Sequence, residues 1–205
     1  MYTPKQFEEH RTEVMHDLIR AHPLATLITL KDGNIEANHI PMVLASGDGM
    51  FGTLRGHMAR SNLIWDEHPK ESDVLAVFHG PESYITPSWY ASKAESGKVV
   101  PTWNYASVHV KGKLRVIEDP SWIRSQLEEL TSSNEAGFEH PWAVSDAPEE
   151  FTAKLIEAIV GFEIVISELQ GKWKVSQNRP AHDRDSLSRG LSNHGGREMA
   201  KLVKN

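Results

Sequence analysis

Leu24-Ala25-Thr26-Leu27-Ile28-Thr29-Leu30-Lys31-Asp32-Gly33-Asn34-Ile35-Glu36-Ala37-Asn38-His39-Ile40-Pro41-Met42-Val43-Leu44 is the stretch on which the fold turns. Its first seven residues are Leu, Ile and Thr with one Ala, side chains that mostly suit a pleated, half-buried surface. Lys31-Asp32-Gly33-Asn34 carries the Asp-Gly signal of a tight hairpin, because such a turn needs positive φ at its centre. The return strand, Ile35 to Leu44, sets Ile40, Met42 and Leu44 on one face. Ser46-Gly47-Asp48-Gly49 turns the chain once more into Met50 to Arg55. The pattern is that of an antiparallel meander.

Upstream, Thr3-Pro4-Lys5-Gln6 reads as a capped helix start, and Phe7, Val14, Met15 and Leu18 extend it as one amphipathic helix stopping before Pro23. Downstream, Gly56 to Asn62 breaks the strand pattern and leads into a short helix ending near Glu67. Val74 to Phe78 is an apolar strand, and Ala106 to Ile117 a long one interrupted by Lys111-Gly112-Lys113. Asp119-Pro120 opens a helix to Leu130. A second helix carries Phe151, Leu155, Ile156 and Ile159 and stops at Gly161. Phe162 to Leu169, a Gln170-Gly171 turn and Lys172 to Ser176 make a last hairpin. The expected fold is mainly β with peripheral helices, a closed or half-closed barrel, since closure removes exposed strand edges. Residues 1–180 form the domain, and 181–205 a polar C-terminal tail with a weak helix at Arg197 to Val203.

The chain has 205 residues with 39% hydrophobic and 24% charged side chains, which suits one soluble globular domain and excludes a disordered or collagen-like chain. Lys and Arg number 22 against 28 Asp and Glu, a net charge of −6, so no global basic field draws the chain onto nucleic acid. With no cysteine there is no disulfide, Fe–S cluster or thiol catalysis. No signal peptide or membrane span is evident, and the expected location is cytoplasmic. The eleven histidines include no H-E-x-x-H and no pair at i, i+4, so no metal site is expected. A G-x-S-x-G elbow is also absent.

Four segments place polar groups where a strand should bury apolar ones. In Asn38-His39-Ile40-Pro41, the proline cannot donate to a central ladder, so the strand is an edge or lines an opening. Arg55-Gly56-His57-Met58-Ala59-Arg60-Ser61-Asn62 runs from a strand into a helix start, a geometry ready for an anion or simply a solvated cap. There Arg55, His57, Arg60 and Ser61 add donors, and Gly56 would let a ligand approach closely. Trp89-Tyr90 and Thr102-Trp103-Asn104-Tyr105 concentrate aromatics beside hydroxyl and amide groups, as a planar-ligand wall, a subunit interface or a buried core pair would. Gly171 to Arg179, with Lys174 and Gln177, closes the last hairpin with cations and then amides, as a ligand contact or simply a solvated strand end would.

In order along the chain, Met1-Tyr2-x-Pro4, Asn38-His39-Ile40-Pro41, Gly56 to Asn62, Phe78-His79-Gly80-Pro81, Ser88-Trp89-Tyr90, Pro101 to Tyr105 and Lys174 to Arg179 resemble one family. It is the PaiB-like, FMN-binding negative transcriptional regulators. Thr86 stands where that family often has Ser, and the tail beyond Leu191 lies outside its pattern. The resemblance implies a split β-barrel related to the pyridoxamine-phosphate oxidase group, dimerising with FMN at the subunit interface. It implies the FMN phosphate at Gly56 to Asn62, paired with Arg60 and bonded by His57 and Ser61. It places the ring edge at Asn38, His39 and the backbone around Pro41. Trp89, Tyr90 and Thr102 to Tyr105 would wall the ring, and Lys174 and Gln177 would reach the flavin or its phosphate.

Three functions stay open on this reading. One is a flavin-binding regulator acting on DNA or through a partner protein. Another is an FMN-dependent oxidoreductase, with His39 and Tyr105 as acid–base candidates. The third is a flavin or haem-like carrier without turnover.

Overall fold

The computed structural model describes residues 1–45, 49–62, 64 and 71–204, the side chain of Lys31 apart. The turn expected at 46–48 and the helix expected between Asn62 and Glu67 lie outside the described residues, Ile64 excepted. The strands are β1 (Glu8–Glu9), β2 (Leu24–Lys31), β3 (Asn34–Pro41), β4 (Val43–Ala45), β5 (Thr53–Ala59), β6 (Glu71–Ile85), β7 (Thr102–Ile117) and β8 (Ile159–Lys174). The helices are α1 (Thr12–Ala21), α2 (Lys93–Ser96), α3 (Pro120–Glu135), α4 (Glu149–Glu157), α5 (Ala181–Asn193) and α6 (Arg197–Lys204).

The hairpin forms as the sequence dictates. Asp32 and Gly33 both take positive φ, 49° and 82°, the conformation a two-residue hairpin turn requires. β2 and β3 pair antiparallel from Leu24 opposite Pro41 to Lys31 opposite Asn34. The eight strands run β3-β2-β6-β7-β8-β5-β4, with β1 against β8. β3 ends this order, which is where a strand tolerates Pro41.

The meander breaks after β3. Met42 leaves the ladder to bond the Pro23 carbonyl, and β4 pairs with β5 rather than β3. β5 pairs along its length with β8, from Thr53 opposite Val165 to Ala59 opposite Ile159. The break expected at Gly56 is therefore absent, and strand continues to Ala59.

Glycine continues strands in the same way elsewhere. β6 runs through Gly80-Pro81, β7 through Gly112, and β8 through Gly161 and Gly171, all read as turns or stops. Each sits where a neighbour crowds the backbone. A Cβ at Gly112 would collide with the Val165 carbonyl, and one at Gly161 would lie 2.5 Å from the Trp122 ring. These are close approaches inside long strands, the other standard use of glycine in a sheet. The N-terminal helix is also shorter than expected. Pro4 starts only a single 3-10 turn, Lys5–Phe7. Glu8 and Glu9 then pair with Lys172 and Gly171 of β8, and the helix begins at Thr12.

The chain divides into two compact units. One comprises residues 19–78 and 110–169, the other residues 1–18, 79–109 and 170–205. In the first, Leu27, Leu54, Phe78, Ile123, Phe162 and Ile164 are almost fully buried. In the second, Ile85, Tyr90, Val175, Leu187, Leu191, Met199, Ala200 and Val203 form one apolar cluster. That cluster explains the C-terminal region. Two helices stand where the sequence pattern gave one weak helix, and α5 and α6 bury Leu187, Leu191, Met199 and Val203. Among the described residues no helix is long and apolar enough to cross a membrane.

Candidate functional site

In the first unit, β3 and the end of β5 bring two of the sequence segments together. Asn62 Nδ2 donates to Asn38 Oδ1 at 2.9 Å, joining positions 24 apart in sequence. Asn62 is itself held in a turn. Its N–H bonds the Ala59 carbonyl, and its Oδ1 accepts from the Ile64 N–H at 3.3 Å. Ser61, between them, is exposed, and neither its hydroxyl nor its N–H has a partner among the described residues. On β3, His39 is exposed and its Nδ1 meets Thr26 Oγ1 at 3.1 Å. Asn38 Nδ2 and His39 Nε2 remain without a partner among the described residues. The Asn38 amide and the Ser61-Asn62 turn thus share one neighbourhood, while His39, the next residue on β3, faces the opposite side of the sheet with Thr26.

Three other residues from the sequence reading are committed elsewhere. Arg60 donates from Nη1 to Glu118 Oε2 at 2.8 Å, from Nε to the Glu157 carbonyl at 3.1 Å and from Nη2 to the Ile159 carbonyl at 3.2 Å. It caps the C-terminus of α4, a favourable place for a cation. Gly56 is closed by protein, since a Cβ there would lie 2.6 Å from the Phe162 ring. Its missing side chain serves core packing rather than ligand approach. Arg55 faces Glu163 at 3.4 Å and Glu129 at 4.0 Å.

His57 lies one strand repeat beyond Arg55, and both point toward α3. His57 Nδ1 meets Gln126 Oε1 at 2.8 Å, while Glu129, one helical turn on, meets Arg55. Gln126 is only 2% exposed and its Nε2 is buried without a partner. The sequence reading did not single it out. The available signal was a polar residue beside Ile123, Leu127 and Leu130 on the apolar stripe of α3.

In the second unit the remaining candidates fall into two groups. Lys174 Nζ donates to Thr102 Oγ1 at 2.6 Å and to the Trp103 carbonyl at 2.9 Å. Asn104, 1% exposed, exchanges hydrogen bonds with Ser176 Oγ at 2.9 and 3.1 Å. Tyr105 lies 5.2 Å beneath the Lys172 ammonium. Trp103 is 47% exposed, donates to Glu82 and packs 6.0 Å from Tyr84, which is 49% exposed. Gln177 donates to the Gln6 and Trp173 carbonyls and accepts from the Val175 N–H, so it ties its own turn.

Trp89 and Tyr90 form the other group; Trp103, the second tryptophan of the expected core pair, lies outside it at 47% exposure. Tyr90 is 3% exposed within the apolar cluster, and Trp89 packs against it. Gly190 of α5 abuts Trp89 so closely that a Cβ would come within 2.6 Å of the indole. Arg179 stacks 4.8 Å over the Tyr90 ring. Asp183 of α5, fully buried, accepts from the Ser92 N–H at 2.9 Å and its hydroxyl at 2.8 Å. Burial pushes its carboxyl up, but the two Ser92 bonds and the charges of His182 and Arg179 outweigh that and hold it below the usual aspartate range. Tyr90 therefore has no face for a planar ligand.

The donor set around Asn38, His39 and Ser61 suits a flavin nucleotide, which presents phosphate oxygens and ring carbonyls as acceptors. Among the described residues no three His, Cys, Asp or Glu side chains gather as a metal would need.

Comparison with known proteins agrees. A protein of Emericella nidulans is 36% identical, covering 100% of this chain and 96% of its own length. The protease synthase and sporulation protein PAI 2 of Bacillus subtilis is 32% identical over 99% of this chain and 96% of itself. Among solved structures, the FAD and heme binding protein of Mycobacterium smegmatis superposes with a TM-score of 0.60 at 18% identity, covering 82% of this chain and 73% of that one. A flavocytochrome of Azotobacter vinelandii gives 0.56 at 15% identity, over 82% and 69%. The fold is the split β-barrel that these two structures share. Residues 1–168 match the family model described as "Putative FMN-binding domain". The chain belongs to this FMN-binding domain family, and its cofactor is a flavin.

Proposed function

We propose that the chain binds FMN with the ring edge at Asn38, His39 and Pro41 and the phosphate at the Arg60-Ser61-Asn62 turn. The observation that carries this is the Asn62–Asn38 hydrogen bond, which puts both motif segments in one neighbourhood. Asn38 Nδ2 donates to a ring carbonyl, and His39 borders the site from the other face of β3. The Ser61 hydroxyl and N–H donate to phosphate oxygens, where charge-assisted bonds are the stronger kind. Arg60 works differently from the sequence expectation. With its guanidinium held by Glu118 and two carbonyls, it fixes the turn. Bound FMN would supply one- and two-electron redox chemistry.

The exposed Tyr84–Trp103 pair, with Thr102 and Lys174 behind it, is the surface we assign to a homodimer contact that walls the flavin of the other copy. Large exposed aromatics are costly in water and common at interfaces. The role we assign is regulatory, as the family resemblance implies. A net charge of −6 favours action through a partner protein over direct DNA contact.

The test is a comparison of FMN and riboflavin affinities in wild type and Ser61→Ala. The reading expects FMN to bind more tightly and Ser61→Ala to narrow the gap by about tenfold, the worth of one charge-assisted bond. Equal affinities for FMN and riboflavin in wild type would sink it. Sedimentation of Trp103→Ala tests the dimer, which should dissociate at concentrations where wild type does not.

A further inference from the structure

α4 presents Glu149, Ala153, Ile156 and Glu157 on one face, at the spacing of residues that line up along a helix. That face and the first turns of α3 border an open groove of about 640 Å³, a size within the usual range of small-ligand sites. An arginine marks each end. At one, Arg60 donates to the Glu157 and Ile159 carbonyls and to Glu118 Oε2. At the other, Arg124 Nη2 donates to Glu149 Oε1 at 2.5 Å. Glu149 and Glu157 are the two ends of α4, so the groove runs ~12 Å at the helical rise per residue. It starts at Arg60, the residue before Ser61.

The lining selects against a bare anion. Glu118, Glu149 and Glu157 stand against two guanidiniums, and each guanidinium already holds a carboxylate. The Glu157 carboxylate has no partner among the described residues. Such an oxygen accepts from hydroxyls, as an acidic side chain does from ribose in dinucleotide sites. A guanidinium bonds within its own plane, so half-exposed Arg124 keeps its flat faces for stacking on an aromatic ring. Ala153, midway along, is exposed and adds no bulk. Hydroxyl acceptor, stacking plane and span together match a purine nucleoside.

We propose that this groove holds the adenosine end of a flavin dinucleotide, with the ribose donating to Glu157 and the purine stacked on Arg124, so that the chain prefers FAD to FMN. This rests on the reading of the Arg60-Ser61-Asn62 turn as the site of the phosphate that both flavins carry. The second phosphate of FAD follows at that turn, where Ser61 is exposed and water solvates the charge. Beyond it the nucleoside is uncharged, which suits a groove with a carboxylate to spare. FMN ends at the turn and gains nothing from the groove.

Calorimetric titration of the full chain with FMN and with FAD is the test. Wild type is expected to bind FAD at least tenfold more tightly. Ala153→Trp fills the groove from an exposed helix position and is expected to weaken FAD alone, bringing the two affinities together. Unchanged circular dichroism would show its fold intact. Arg124→Ala is expected to weaken FAD about threefold, the worth of one exposed cation–π contact, and FMN not at all. FAD binding no tighter than FMN in wild type would overturn the inference and leave the FMN reading standing. A preference for FAD that survives in Ala153→Trp would put the adenosine elsewhere and overturn it as well. Binding of neither flavin by wild type would remove the reading of the turn, and this inference with it.

Discussion

Two regions that the motifs mark as ligand sites meet opposite fates. The Ser88-Trp89-Tyr90 segment is roofed by α5 and α6, with Gly190 against the indole, Arg179 on the Tyr90 ring and Asp183 clamping Ser92. The Asn38 and Ser61-Asn62 segments keep a half-exposed set of donors with few internal partners. Both carry hydrogen-bonding side chains; what covers them differs. The first region is core and its polar groups are spent on the fold, whereas the second retains unspent capacity, the property a binding site needs.

Substitutions should therefore divide by region, stability in one and ligand affinity in the other. The largest effect is expected at Leu187, fully buried under Trp89 and Tyr90. Leu187→Ala should cost ~2–5 kcal/mol in chemical denaturation, through lost burial and the cavity left behind. A cost below 1 kcal/mol would mean that α5 and α6 are not integral to the core.

Asp183 comes next. Asp183→Ala leaves the half-buried Ser92 N–H and hydroxyl without their carboxylate, at about 1–3 kcal/mol in total at neutral pH. The pH dependence has a definite sign. A carboxyl held below its ordinary value stabilises the fold above that value, and the contribution fades as pH falls through the lower folded value. Denaturation curves of wild type and Asp183→Asn should keep a constant gap from pH 7 down to pH ~5 and converge below the usual aspartate range of about 4. A gap that widens in acid would contradict the assignment.

Gly56 sharpens the comparison, because the sequence placed it in the ligand site and the fold places it in the core. Gly56→Ala forces a methyl against Phe162 and should destabilise the flavin-free protein by ~1–3 kcal/mol. A variant as stable as wild type but unable to bind FMN would restore the ligand role.

The smallest stability effect belongs to the binding region. Asn62→Ala removes a half-exposed bond to Asn38 and should cost about 1 kcal/mol or less in stability while weakening FMN about tenfold. The reverse ranking, large in stability and absent in binding, would make that pair a mere strand clip.

What the sequence made legible follows from how local each signal was. The Asp32-Gly33 turn and the Asp119-Pro120 helix start depend on neighbouring residues alone, and both stand where the pattern put them. Gly80, Gly112, Gly161 and Gly171 carry no local mark to distinguish a turn from a strand crowded by a distant neighbour, so three long strands were cut short. The α5–α6 pair was read as a tail because its apolar residues are sparse, and they form a core only with Ile85, Tyr90 and Val175. In the proposed site, Asn38, His39, Ser61 and Asn62 stand out by their motifs, and the fold brings Asn38 and Asn62 together. Gln126 does not stand out, because what marks it is its contact with His57, 69 positions away.

The most direct measurement is an equilibrium titration of FMN fluorescence with wild type and with the Asn38→Ala/Asn62→Ala double variant. Saturable quenching near one FMN per chain in wild type, weakened at least tenfold in the double variant, is the predicted result. No quenching by wild type, or equal binding by both proteins, would contradict the assignment of the flavin to the Asn38–Asn62 neighbourhood.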